Sequence, residues 1–166
     1  MVNLDFLSDN LAIILNEVIN NQSIVKYLSY NIPNPISQPD LKLPAKDLIN
    51  NKVFPFPADP VAMTTDATQL RIYYPKCDFT VDSQLGDVEI YFDIVASNTL
   101  WLINDGIKSQ IRPYMLVKEI MKHFNNRSIT TLGKLHFQGF VHVNVNSTFD
   151  CIRLIANMEL FGGSDS

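Results

Sequence analysis

Long apolar runs are absent from the sequence, and its first residues have neither the basic start nor the apolar segment of a secretory signal peptide. No stretch approaches the ~18 consecutive apolar residues that a membrane-spanning helix needs. We therefore expect the protein to be made in, and to stay in, a cytoplasm-like compartment without membrane contact.

Glycine and cysteine are scarce as well. The six glycines are scattered singly, so no phosphate-binding loop and no dinucleotide-binding glycine pattern occurs. Cys77 and Cys151 lie far apart and lack the spacing of metal ligands. Two reduced, partly buried thiols are the favoured interpretation, and a disulfide is the alternative. We expect no cofactor and no bound metal.

Charge is limited too. Charged residues make up 18% of the chain, the formal net charge is −4, and the sequence pI is near 5.2. Proteins that bind nucleic acid by neutralising phosphates carry clustered positive charge, so we expect no specific nucleic-acid binding. The hydrophobic residues, 46% of 166, suffice for one core. We predict a single domain over residues 1–161 and a flexible tail at 162–166.

The first 30 residues predict two consecutive helices. Apolar residues recur at helical spacing from Leu11 to Ile19, and Ser8 or Asp9 is a suitable N-cap. A break rich in asparagine and glutamine follows, and Ser23 is the predicted cap of a short second helix.

Residues 31–69 form a long proline-rich loop. Its seven prolines exclude a continuous helix or a central strand. Apolar residues such as Leu41, Leu48 and Val53 are nevertheless spread through it, and a loop with so much apolar surface lies against its own domain or against a neighbour. Two interpretations stay open, an irregular loop on its own core or an arm that docks on an adjacent subunit.

Residues 70–161 alternate in the manner of strands. Leu70–Tyr74 and Val88–Val95 predict two strands, and the polar segment Lys76–Asp87 between them predicts a hairpin that projects from the sheet. Leu135–Val145 and Phe149–Leu160 predict two further long strands joined by an asparagine-serine-threonine turn.

A second main helix is predicted after Gly106, with Pro113 in its first turn, where a missing N–H is harmless. Before it, Thr99–Ile103 is either a strand or a connector. Consecutive strands close in sequence favour antiparallel pairing with helices on one side. We predict an α+β fold in which two main helices pack on one face of an antiparallel sheet, with a long proline-rich loop and a projecting hairpin.

The search for catalytic residues gives one candidate. Asp87, Glu89 and Asp93 cluster on or beside one strand, as the carboxylates of metal-dependent nucleases do. We favour the interpretation that they form the solvated face of a half-buried strand, because no lysine follows on the paired strand in a recognisable nuclease arrangement. We predict that the protein is not an enzyme, and a small metal-dependent enzyme or nuclease using these three residues is the alternative hypothesis.

The three histidines do not indicate a metal site. His123 ends a predicted helix, whereas His136 and His142 lie on a strand and would share a face if no bulge intervened. No carboxylate or cysteine repeats at ligand spacing around them, and no nucleophile-elbow motif supports a catalytic triad.

Aromatic residues are more numerous than one inward sheet face needs. Aromatic side chains are favoured at protein interfaces, and strands that are apolar near both faces suit a sheet that another subunit extends or covers. The alternative is that most of them complete the core. The predicted interface residues are Phe54, Phe56, Tyr73, Tyr74, Phe79, Trp101 and Tyr114.

Several segments resemble those of the small neck and tail-completion proteins of tailed bacteriophages. Leu15–Tyr30 (LNEVINNQSIVKYLSY) is similar to their opening helix, asparagine/glutamine break and short second helix. Lys52–Pro57 (KVFPFP) is similar to the stretch that leads into their first strand. The strand Glu89–Val95, the helix Arg112–Phe124 and the closing hairpin match the rest of the layout. By layout the chain most resembles the tail terminator, which caps a finished tail and joins it to the head.

The resemblance implies a homohexameric ring that contacts tail-tube protein on one side and a head-completion protein on the other. It also implies a place in the virion neck, assembly in the host cytoplasm, DNA that only passes through the lumen, and no catalytic residues. The segments 31–69 and 76–87 are longer than a minimal member needs, so a head-closure protein or another neck adaptor is an alternative role. A regulatory binder, which needs no self-assembly, is a third hypothesis.

Overall fold

The computed structural model describes residues 4–42, 45–58, 65–81, 85–130 and 133–158, and within them the α+β class predicted from the sequence is confirmed. The helices are α1 Asp5–Ile19, α2 Gln22–Ser29 and α3 Arg112–Phe124. The strands are β1 Val53–Phe54, β2 Thr68–Phe79, β3 Leu85–Ser97, β4 Leu102–Asn104, β5 Ser109–Ile111, β6 Ser128–Thr130, β7 Gly133–Asn144 and β8 Phe149–Met158. The predicted tail at 162–166 lies outside the described residues.

Six strands form the main sheet, in the order β1-β2-β3-β8-β7-β6. Neighbouring strands in this sheet are antiparallel, except that β1 pairs parallel with β2. The sheet is therefore mixed, whereas a purely antiparallel sheet was predicted. β4 and β5 form a separate antiparallel hairpin.

The helices α1 and α3 contact the same face of the main sheet. Phe124 of α3 packs on Phe92, which lies directly opposite Ile72 in the ladder between β2 and β3. Tyr74, two residues along β2 from Ile72, donates from its hydroxyl to the carbonyl of Leu7 in α1. Because side chains alternate along a strand, these contacts place both helices over one face. None of the described helices is long and apolar enough to cross a membrane.

The N-terminal helix pair is present, but both predicted caps are wrong. α1 begins at Asp5, before Ser8 and Asp9, and no side chain caps it. At α2 the N-cap is Asn21, whose Oδ1 accepts from the N–H of Ile24 at 3.2 Å, so the amide performs the role predicted for Ser23.

β2 is longer than predicted because it continues through Pro75. A register shift between Tyr73 and Lys76 accommodates the proline, and the ladder resumes and runs to the pair Phe79–Leu85. A proline is tolerated here because β1 ends the sheet on this side and pairs only with Leu70 and Arg71. The last described pair between β3 and β8 is Val88–Met158, so the end of the β2–β3 hairpin extends beyond it.

The described parts of the proline-rich loop lie on the domain's own core, the first of the two interpretations above. Leu48 and Val53 are buried, and Leu41 packs against the core. Its amide N–H donates to Oε1 of Gln22 at 2.9 Å, which holds the loop on α2. Ile36 and Phe56 are exceptions, because 44% and 46% of them remain exposed.

Arg112, the first residue of α3, links three connecting segments. Its guanidinium donates to the carbonyls of Tyr27 and Tyr30 at the end of α2, to that of Ile32 in the loop, and to that of Leu100 before β4, at 2.7–3.0 Å. Only 1% of Arg112 is exposed, and burial lowers its pKa to about 10. The carbonyl end of α2 carries partial negative charge, which suits a cation.

Candidate protein interface

A shallow groove of about 620 Å³ lies where the proline-rich loop passes the outer edge of β2. Its lining is aromatic and apolar apart from one arginine. The residues that line it are Leu11, Pro55, Phe56, Pro57, Tyr73, Tyr74, Pro75, Tyr91 and Arg153. A groove of this composition on a protein surface matches the anchor residues of protein–protein contacts, which are enriched in tyrosine, phenylalanine and arginine.

The aromatic rings of the groove are held in fixed positions by edge-on contacts. Phe56 meets Phe54 with ring centroids 5.8 Å apart and planes at 73°, and Tyr73 meets Tyr91 with the same separation and angle. The Tyr74 hydroxyl donates to the Leu7 carbonyl at 3.1 Å, which leaves the ring against α1. Rings that are ordered in advance lose little entropy when a partner covers them.

Arg153, which lines the groove, forms an ion pair with Asp93. Asp93 and Arg153 lie directly opposite each other on β3 and β8. The guanidinium donates through Nε to Oδ1 at 2.8 Å and through Nη2 to Oδ2 at 2.9 Å. Two parallel bonds of this kind give the arginine a defined plane. The Cζ atom of Arg153 lies 4.4 Å from the centroid of the Tyr91 ring, so the ion pair also positions an aromatic ring of the groove.

Tyr73 completes the network. Its hydroxyl donates to Asp93 Oδ2 at 2.8 Å and accepts from Arg153 Nη2 at 3.1 Å. Burial, together with the hydrogen bond to the carboxylate, raises the pKa of Tyr73 to about 12. The hydrogen bond with Asp93 raises the pKa of Arg153 further above its ordinary value. The polar groups of Asp93, Arg153 and Tyr73 are therefore bound to one another, and the rest of the groove lining is apolar or aromatic.

The structure separates the seven predicted interface residues into three places. Phe54, Phe56, Tyr73 and Tyr74 lie at or beside the groove. Phe79 is exposed near the end of the β2–β3 hairpin. Trp101 and Tyr114 lie near β7, toward the opposite edge of the sheet from β2.

Trp101 and Tyr114 each contact a residue of β7. The Trp101 ring stacks on His142 at 5.4 Å and donates from Nε1 to the Ala96 carbonyl at 3.2 Å. Tyr114 packs on Phe140 at 5.6 Å, and both of these rings are about half exposed. A second group of aromatic side chains, separate from the groove, therefore lies at β7.

The three candidate carboxylates of the enzyme hypothesis have different environments. Asp93 is buried and bound by Arg153 and Tyr73, so the prediction that it lies on a solvated face is wrong. Asp87 and Glu89 line a shallow surface pocket near the β2–β3 hairpin. That pocket also includes Lys76, but its Nζ is bound to Asp78 at 2.8 Å. Within the described residues, no three His, Cys, Asp or Glu side chains are grouped as metal ligands would be.

The histidines are separated by a bulge. His136 pairs with Asn157 and His142 with Ile152, and a register shift lies between Phe137 and Gly139. The two partners are an odd number of residues apart on β8, so His136 and His142 point to opposite faces. His123 Nε2 lies 2.8 Å from Glu17 Oε2 and links α3 to α1.

Arg153, Tyr91 and Phe140 were not among the predicted interface residues. Arg153 had a weak signal in the sequence, a charge within the otherwise apolar run Cys151–Ala156 of β8. Its partner Asp93 interrupts the apolar run Ile90–Ala96 of β3 in the same way, but the pairing depends on a strand register that spans 60 residues. Of the two cysteines, Cys151 is buried and Cys77 is half-buried, and both are free thiols.

Comparison with known proteins gives a family match. The model of the YomW family matches residues 21–158. This range contains α2, α3 and all eight strands, and it includes every groove residue except Leu11. No curated protein matches the chain, and no solved structure matches it.

Proposed function

The chain belongs to the YomW family and is a phage-associated protein, and from this premise we propose that it is a structural protein of the virion neck. In this role it caps the tail tube and joins it to the head, as a tail terminator does. It acts by assembling with copies of itself and with neighbouring neck proteins, and not by catalysis. Its place is the neck of the virion, and assembly takes place in the host cytoplasm.

The observation that carries this proposal is the groove at the edge of β2. Its lining includes the exposed Phe56 and three partly buried tyrosines, and a hydrogen-bonded ion pair contacts two of these, Tyr73 and Tyr91. A preformed apolar surface of this kind is what a contact between subunits uses. Catalysis would instead need several polar side chains that point toward one substrate and are free to bind it. The Asp93 carboxylate beside the groove is already bound by Arg153 and Tyr73.

We propose a homohexameric ring in which the groove receives a surface of the next copy. A head-to-tail contact of this type joins two different patches and closes into a ring when the rotation allows it. Tail-tube protein is the partner on one side and a head-completion protein the partner on the other. The formal net charge of −4 suits a lumen through which DNA passes without binding.

Light scattering of the purified protein, alone and with tail-tube protein, tests self-assembly. We expect the mass of several copies, and not the 18.8 kDa of a single chain. Phe56→Ser removes the most exposed ring of the groove and should lower that mass with little change in folding. Leu102→Ser is the matched control, because Leu102 is an exposed apolar residue on the separate β4–β5 hairpin. A wild-type chain that is strictly monomeric under both conditions would contradict the proposal.

Complementation of phage lysates separates a tail terminator from the alternatives of head closure or another neck adaptor. Purified protein is added to lysates of a phage that lacks the gene, and the particles are examined by electron microscopy. A terminator should convert tails of irregular length into tails of uniform length that join heads. Tails already uniform before addition would favour a head-closure or adaptor role.

A titration with magnesium or manganese tests the absence of metal-dependent chemistry. We expect no thermal stabilisation by either ion. Stabilisation that is lost in Asp93→Asn would favour the enzyme hypothesis instead.

A further inference from the structure

β7 has an outer edge that no described strand covers beyond its first residues. On one side β7 pairs with β8 along its length, from Leu135 to Asn144. On the other side β6 pairs only with Gly133 and Lys134. After the bulge at Gly139 the ladder with β8 is regular up to Asn144. A regular edge strand presents a row of backbone N–H and C=O groups that can bind another strand.

Beyond the bulge at Gly139, this edge lacks the charged residues and prolines that normally prevent pairing. Between Leu135 and Asn144 the sequence has no lysine, arginine, aspartate, glutamate or proline. Phe140 and Val141 expose 50% and 46% of their surface. The opposite edge of the sheet differs, because β2 carries a bulge with Pro75, followed by Lys76. Charged residues, prolines and covering segments are the means by which proteins protect an edge, so β2 is protected and β7 is not.

We propose that the outer edge of β7 pairs antiparallel with the same edge of a second copy, around a two-fold axis at Val141. A two-fold axis perpendicular to the sheet keeps each face continuous, so the pairing must be centred on a residue. The regular segment Gly139–Val143 has Val141 at its centre. Phe140 then lies opposite His142 of the other copy, and Gly139 opposite its Val143.

A second copy is the occupant that the composition favours. An uncharged edge meets no like charge when it meets itself, and each aromatic or aliphatic residue finds an apolar or aromatic neighbour. The exposed Phe140–Tyr114 pair lies beside the contact and adds area to it. The β7 edge and the groove lie at opposite ends of the strand order, so a ring that closes head to tail through the groove can also pair through β7 with a second ring. The inference rests on the proposed self-assembly, and the two-fold contact lies between two such rings and not within one.

Charge substitution at Val141 tests the pairing. In Val141→Lys or Val141→Glu, two side chains of like charge would lie opposite each other across the axis, with Cβ atoms about 4.5–5.5 Å apart. We expect each variant alone to show half the wild-type mass in light scattering while its circular dichroism stays unchanged. An equimolar mixture of the two should regain the wild-type mass, because lysine then faces glutamate. Val81→Lys is the control, since Val81 is fully exposed in the turn between β2 and β3 and should leave the mass unchanged.

Amide hydrogen exchange gives a second measurement that needs no variant, made on those residues of 139–143 whose N–H groups point away from β8. Protection should be present in concentrated wild-type protein and should fall on dilution. Protection that does not depend on concentration, a mass unaffected by both variants, or a mixture that stays at half mass would overturn the inference. If wild type assembles and Val141→Lys leaves the assembly intact, only the β7 contact is disproved. If wild type is always monomeric, the proposed function is disproved as well.

Discussion

Arg112 and Arg153 differ in how far they are buried and in the groups that bind their guanidinium. Arg112 is 1% exposed and donates to four backbone carbonyls, and no ion pair to it occurs within the described residues. Arg153 keeps 27% of its side chain exposed and faces the carboxylate of Asp93. A buried arginine needs its donors satisfied, and this is achieved with backbone carbonyls at Arg112 and with a side-chain carboxylate at Arg153.

The difference separates a role in folding from a role at the surface. The carbonyls around Arg112 belong to the end of α2, to the proline-rich loop and to the segment before β4, so this residue holds connections in place. The pair of Arg153 and Asp93 joins two neighbouring strands that are already hydrogen-bonded, and it orients Tyr73 and Tyr91 at the groove. We therefore expect loss of Arg112 to affect the fold and loss of the pair to affect mainly the groove.

Arg112→Met should produce the largest loss of stability. Methionine keeps the apolar part of the side chain but leaves four carbonyls without their donors, two of them at the end of α2. We expect the free energy of unfolding to fall by about 3–5 kcal/mol. Urea denaturation followed by circular dichroism measures it.

Arg127→Met is the matched control for this change. Arg127 is exposed and donates to a single carbonyl, that of His123, at 3.0 Å. Its replacement should change the unfolding free energy by no more than about 0.5 kcal/mol. Equal losses in the two variants would show that the buried carbonyl contacts of Arg112 are not what stabilises the connections.

Asp93→Leu should have the second largest effect. It leaves the Arg153 guanidinium without its carboxylate, and breaking a fully buried pair typically lowers stability by about 3–5 kcal/mol. Because Arg153 is partly exposed and can be hydrated, we expect a smaller loss of about 2–3 kcal/mol. The groove should lose its defined surface as well, so the assembled mass should fall together with stability.

A double variant distinguishes this pair from Arg112. Asp93→Leu combined with Arg153→Met replaces both charges by apolar groups, and such a replacement is often neutral relative to the intact pair. We expect the double variant to be more stable than Asp93→Leu alone in a double-mutant cycle. No such rescue exists for Arg112, whose partners are backbone carbonyls. A double variant as unstable as the sum of the single ones would remove this distinction.

The strands with clear alternation could be predicted from the sequence, and the contacts between distant strands could not. The predicted strand Val88–Val95 lies within β3, which runs from Leu85 to Ser97. β2 was predicted to end before Pro75, because a proline normally interrupts a strand, and only its position at the sheet edge makes the longer strand possible. The short strands β4, β5 and β6 have too few residues for a periodic signal.

The groove illustrates the same limit for the candidate site. The excess of aromatic residues indicated that some are exposed, and Phe56, Tyr73 and Tyr74 do meet in one place. Composition carries no information about which aromatics share a surface, so Trp101 and Tyr114 were grouped with residues from the other edge of the sheet. The carbonyl partners of Arg112 left no trace in the sequence at all, because every residue has a carbonyl.

Tyr73→Phe should have the smallest effect at neutral pH. The change removes one donor and one acceptor from the network and should lower the unfolding free energy by about 1 kcal/mol. Its signature is the dependence on alkaline pH. The pKa of Tyr73 is about 12 in the folded chain and lies near 10 for a tyrosine in an unfolded one.

Between these two pKa values the unfolded tyrosine ionises first, so ionisation favours unfolding. The contribution of Tyr73 is therefore complete below pH 10 and is lost as the pH rises through 12. Burial also raises the pKa of Cys151 to about 12, but that thiol is present in both proteins and cancels in their difference. Urea denaturation from pH 8 upward should show the stability of wild type and Tyr73→Phe converging above pH 10. A constant difference across that range would mean that the Tyr73 hydroxyl is not bound to Asp93, and that the ion pair holds the groove without it.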